Sequence, residues 1–123
     1  TVGFDLAGIP DPSGSRFRSD HAPNLTRTLA GRDPDNELIL LAHRPNPIDI
    51  AAKAGVGLQL SGHTHGGQFF PITLGAELVH PYNAGLHRHG PSTQIYVSRG
   101  TGFWGPPIRI LAPAEITSLV LTA

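Results

Sequence analysis

The chain has 123 residues, one domain's worth or part of one, with nine basic and nine acidic side chains and no cysteine. A formal charge of zero removes the electrostatic case for a nucleic-acid polymer or an anionic membrane surface, and the missing thiols exclude disulfides and zinc–thiolate sites. No apolar run approaches the ~18 residues that span a bilayer, so no transmembrane segment and no signal peptide is expected in it.

Val2, Phe4 and Leu6 alternate with smaller or polar residues, which predicts a strand running into a turn over Gly8 to Gly14. Asn24 is placed to cap a short helix carrying Leu25 and Leu29 on one face, with Gly31 ending it. Glu37 to Ala42 reads ELILLA, a continuous apolar run that fits a fully buried strand, and His43 stands at its C-terminal end. Asn46-Pro47-Ile48-Asp49 predicts a helix start, with Asn46 as cap, and the helix runs to about Ala54 before Gly55. Val56 to Leu60 is a second buried strand. Two strands, each ending at histidine and joined by a helix, point to a βαβ unit and one α/β layered domain. Further strands are expected over Gln94 to Ser98, Ile108 to Leu111 and Ile116 to Leu121.

The second buried strand delivers the chain into Gly62-His63-Thr64-His65-Gly66-Gly67-Gln68. Chance produces a G-H-x-H string on the order of 0.05 times in a chain with seven histidines and 15 glycines, so the string is a moderate signal. Its position adds weight. His43 and the His63/His65 pair both follow the C-terminal ends of buried strands, where open α/β sheets assemble ligand sites. On an extended segment both rings would point to one side and serve one ion, whereas a turn at the glycines would let them serve two. Imidazole suits zinc, manganese, iron and nickel alike. The competing reading is a glycine-rich turn whose histidines bond to backbone. His87 and His89 form a second H-x-H that reads as a solvated hairpin, His80 reads as a loop residue near a pocket mouth, and His21 has no partner signal.

At these residues the sequence resembles the calcineurin-like metallophosphoesterases, in particular their bacterial, often membrane-associated phosphodiesterase branch. The resemblance is carried by Leu41-Ala42-His43-Arg44-Pro45 and by the GHTHGGQ of residues 62 to 68. It continues through Tyr96 to Gly102, Pro107-Ile108-Arg109 and Pro113 to Thr117. It implies a layered β-sandwich flanked by helices, of which residues 1–123 would be the C-terminal half of a single domain. It further implies a centre of two divalent ions (manganese, zinc, iron or nickel), with His43 and His63 on one ion, His65 on the other, and a bridging hydroxide attacking phosphorus. The family's D-x-H, G-D-x-x-D and G-N-H-D segments do not occur in this sequence. The proton-donor histidine and remaining ligands are therefore expected upstream, the isolated chain is expected to be inactive, and the missing half is its expected partner. Gly66 and Gly67 would let backbone approach the metals or phosphate. Arg99 is a candidate phosphate contact, and Phe69, Phe70, Phe103 and Trp104 are candidates for an apolar rim. Such a rim suits a phosphodiester bearing a lipid or nucleoside. The alternative function is a non-catalytic half-domain that binds metal or assembles with another chain.

Overall fold

The computed structural model describes residues 3–70, 75 and 78–122. Val2 of the first expected strand, and Pro71 after the Phe69-Phe70 pair, lie outside the described residues.

Five strands, β1 (Phe4–Ile9), β2 (Glu37–Ala42), β3 (Leu58–Ser61), β4 (Gly85–His89) and β5 (Thr93–Val97), form one sheet in the order β1-β2-β3-β5-β4. The first three and β5 run parallel, and β4 closes the far edge antiparallel to β5. Between β2 and β3 the chain returns through α2 (Ile48–Lys53), the predicted βαβ unit, which sets Ile39 beside Leu58 and Leu41 beside Leu60. Helix α1 (Leu25–Thr28) begins as expected, Asn24 Oδ1 accepting from the Arg27 N–H at 2.9 Å, and Gly31 leaves at φ +81°. The α/β class thus matches the sequence reading.

The core explains the register. Leu38, Leu40 and Ala42 alternate along β2 onto one face, where they pack with Ala51 of α2, Val56 and the half-buried Leu25 and Leu29. Ile48 packs on Ile95 and Val97 of β5, beyond β3 in the sheet. Each such buried aliphatic side chain contributes about 1.5–3 kcal/mol over leaving it in water, and a one-residue slip would turn the set outward. The opposite face carries Phe4, Leu6, Leu41 and Leu86, all exposed. No helix among the described residues is long and apolar enough to cross a membrane.

Two expectations fail near the C-terminus. Ile110 makes a single bridge to Phe69, and Ile116 to Leu121 joins no ladder. The segment instead crosses the open face near the C-terminal ends of the strands, where Ile116, Thr117 and Leu119 line a cavity with Leu41, Leu60 and Tyr96. Tyr96 Oη donates to Glu115 Oε1 at 2.8 Å and lies 2.6 Å from Thr117 Oγ1. A segment crossing a face meets side chains rather than backbone partners, so an apolar, β-branched composition alone does not make it a strand.

Candidate metal centre

Parallel strands deliver their C-terminal ends to one edge, and there the chain gathers its chemistry: Asp11 beyond β1, His43 beyond β2, His63 beyond β3 and Arg99 beyond β5. The loops after β2 and β3 are stitched together. Gly62 N–H donates to the His43 carbonyl at 3.0 Å, Ser61 Oγ to the Arg44 carbonyl at 3.2 Å, and the buried Gln59 amide to the Pro45 carbonyl at 3.3 Å.

This stitching brings His43 Nε2 to 3.2 Å from His63 Nδ1, with the rings edge to face. Two nitrogens bound to one ion at about 2.1 Å, at angles between octahedral and tetrahedral, stand about 3.0–3.4 Å apart. The separation matches that of two ligands on one divalent cation, and in the ion's absence it is a hydrogen bond between the two rings. His65 departs from it. His63 and His65 both hold positive φ, 70° and 51°, with Thr64 helical between them, so the segment is turned and not extended. The His65 Nδ1 lies 3.2 Å from Arg109 Nη2, and the ring lines a cavity together with His63. Among the described residues no group of three or more His, Asp or Glu stands close enough to hold an ion. Left-handed backbone at a non-glycine residue costs of order 1–3 kcal/mol, and His63, His65 and Gln68 (φ 57°) hold it within six residues. Such clustering is the mark of a functional turn.

Burial, then the Arg44 charge, hold His63 below the ordinary imidazole range. Burial and Arg109 do the same for His65, against the opposing pull of the Arg99 backbone carbonyl. The neutral ring is the ligand form. With the native values depressed, the folded chain binds fewer protons than the unfolded one below about pH 6.5. This contribution to stability is present above that value and lost as pH falls through the native ones. Metal affinity in the assembled protein is accordingly expected to stay level from pH 8 to about 6.5 and to decline only below it. Calorimetric titration checks this, and a tenfold decline between pH 8 and 7 would contradict it.

Sequence reasoning missed several residues around this pair. Arg44 donates to Asp11 through Nε (2.9 Å) and Nη2 (3.3 Å) and to Ser13 Oγ (2.6 Å), and this guanidinium holds the Asp11 carboxyl far below the usual carboxylate range. The signal was Asp11's own place just beyond a strand end. Gln68, the last residue of the motif, is buried and clamps the aromatic loop. Its Nε2 donates to the carbonyls of Trp104 (2.7 Å) and Pro106 (3.2 Å), and its Oε1 accepts from the Trp104 N–H. Arg109 donates to the carbonyls of Gly102, Arg99 (2.8 Å) and Ala112 (3.0 Å) while touching His65. Asn46 does not cap α2; Pro47 holds that position, and the Asn46 Oδ1 lies 3.0 Å from His80 Nδ1. His80 in turn packs edge-on against His63, ring centroids 5.4 Å apart.

The other predicted positions divide. Trp104 and Phe69 line a cavity of about 120 Å³ with His63, His65 and His80, while Phe70 and Phe103 are exposed and do not border it. Arg99 pairs with Glu115 (2.7 Å) and lies over Gly66, where a Cβ would sit 3.0 Å from Arg99 Cγ. Gly66 thus admits the arginine side chain, and Gly67, buried at φ 78°, completes the turn. The hairpin of β4 and β5 forms, but its histidines are engaged: His89 Nε2 lies 3.1 Å from Asp49 and His87 Nε2 donates to the Ala84 carbonyl at 2.7 Å.

The sheet edge thus carries two adjacent imidazoles beside a strained glycine turn, and comparison with known proteins gives the family. Over 120 residues the chain is 46% identical to a metallophosphoesterase of Helicobacter pylori, covering 97% of this chain and 32% of that protein. Identity is 42% over 121 residues to a bovine transmembrane protein with metallophosphoesterase domain, covering 96% of this chain and 27% of that one. A Campylobacter jejuni metallophosphoesterase shares 41% over 121 residues, covering 98% and 32%. The chain belongs to the metallophosphoesterase family. It spans about a third of the length of these relatives. No family model and no solved structure matches it.

Proposed function

We propose that the protein is a metal-dependent phosphodiesterase to which residues 1–123 contribute the C-terminal half of a single catalytic domain. The carrying observation is the 3.2 Å approach of His43 Nε2 to His63 Nδ1 at the ends of adjacent parallel strands. In this reading His43 and His63 hold one divalent ion, His65 Nε2 holds a second, and the remaining ligands come from segments this sequence lacks. The bound ions supply Lewis acidity and a nucleophile at neutral pH.

The chain's own residues do the rest. Arg44, fixed by Asp11 and Ser13, keeps positive charge beside the histidines and favours their neutral form. Arg99, braced by Glu115, is the phosphate contact, since a guanidinium matches phosphate oxygens with paired donors. Gly66 and Gly67 allow that arginine and the turn to lie close to the substrate. The exposed Trp104 and half-buried Phe69 give one wall of the site an apolar surface for a lipid- or nucleoside-linked ester group. We read the full-length protein as membrane-associated, as the bovine relative's name says of that protein.

The test uses the full gene product with manganese, comparing bis(p-nitrophenyl) phosphate with p-nitrophenyl phosphate. The diester is expected to turn over faster, and Trp104→Ala to reduce turnover of a lipid or nucleoside diester more than that of the small diester. Preference for the monoester would refute the phosphodiesterase reading, and equal losses would make Trp104 a fold residue only.

A further inference from the structure

We propose that a second cavity beside the histidine pair receives a hydroxyl-bearing, polyol-like ester group of the substrate, with His80 and His87 as its hydrogen-bond acceptors. This rests on the phosphodiesterase reading and gives it a substrate class. The cavity, about 520 Å³, is lined by Gly66, His80, Tyr82, Asn83, His87 and Arg99.

The direction of its hydrogen bonds is fixed by the partners of the two rings. His80 Nδ1 lies 3.0 Å from the Asn46 carboxamide oxygen, which can only accept. The proton of the neutral ring is therefore on Nδ1, and Nε2 carries a lone pair. His87 Nε2 lies 2.7 Å from the Ala84 carbonyl, again acceptor only, so its lone pair is on Nδ1. Among the described residues neither free nitrogen has a hydrogen-bond partner. Lone pairs repel a phosphoryl oxygen and attract O–H, so these rings complement hydroxyl groups and not a second phosphate.

The site is built and not incidental. Tyr82 stacks on His87 with centroids 4.8 Å apart, and its hydroxyl lies 3.1 Å from His89 Nδ1, whose other nitrogen contacts Asp49 on α2. Thr64, between the two motif histidines, donates through Oγ1 to the Asn83 carbonyl at 2.6 Å and ties this wall to the metal turn. His80 borders both cavities and Arg99 lines the larger, so a group held there adjoins a phosphoryl group lying between the histidine pair and Arg99.

The experiment uses the full gene product with manganese at pH 8 and two substrates with one leaving group, glycerol p-nitrophenyl phosphate and ethyl p-nitrophenyl phosphate. The glycerol ester is expected to have about tenfold higher kcat/KM, expressed mainly in KM. His80→Leu and His87→Leu should each bring that ratio toward one with manganese per chain unchanged. Equal kcat/KM in the wild type, or a preference that survives both substitutions, overturns the proposal. If neither ester is hydrolysed, the phosphodiesterase reading fails, and calorimetry with glycerol 1-phosphate and ethyl phosphate decides the cavity. Tighter binding of the glycerol compound, lost in His87→Leu, supports it; equal binding overturns it.

Discussion

Replacing His63 with alanine in the full gene product is expected to lower phosphodiester turnover about a thousandfold. Losing a metal removes several kcal/mol of transition-state charge stabilisation, at about 1.4 kcal/mol per tenfold. His43→Ala should produce the same loss, because the two rings approach one point at 3.2 Å and neither alone supplies two donors. The pair should also be non-additive, the double variant being little worse than either single one. Metal analysis should show one equivalent lost in each. His65→Ala removes a different equivalent, since that ring lies against Arg109 and not against His43. Retention of both equivalents in His63→Ala, or a clear sum of effects in the double variant, would count against a shared ion.

A second large effect is expected at Gln68. Its carboxamide is buried and satisfies three backbone groups of the loop over residues 104–106. Truncation to alanine leaves those groups unpaired, at about 1–3 kcal/mol each where they stay dry. Rehydration of the exposed loop brings the expected total to about 2–3 kcal/mol. Gln68→Glu, nearly the same size, should be as damaging, because a carboxylate cannot donate to the carbonyls of Trp104 and Pro106. Trp104 is the chain's single tryptophan, so urea unfolding followed by its emission reads both the stability and the release of the loop. A loss under 0.5 kcal/mol in both variants would show that the clamp holds nothing.

The parts of this fold that could be read from sequence are those governed by local pattern. The strand over residues 37–42, the cap at Asn24 and the stop at Gly55 each follow from local pattern and each is found, although the strand is not fully buried as expected, since Leu41 is exposed. His43 and His63 were legible because two parallel strands and a short helix leave little freedom in where their ends meet. What sequence could not supply is the direction of side chains in turned backbone. Nothing local shows that His65 meets Arg109, 44 residues away, or that Asn46 leaves the helix end for His80, 34 residues away. Arg109 and Gln68 act through backbone carbonyls of distant loops, which carry no residue identity to read. The expected strand over Ile116 to Leu121 failed for a related reason. Its composition suits a strand, but it pairs with none and lies over side chains of the sheet face.

The most direct test of a shared ion is ¹⁵N histidine NMR of the full gene product titrated with zinc, a diamagnetic stand-in. His43 Nε2 and His63 Nδ1 are expected to shift together at one midpoint, with His65 following separately. Shifts at different midpoints for His43 and His63, or no shift in either nitrogen at saturating zinc, would contradict the assignment of these two rings to one metal.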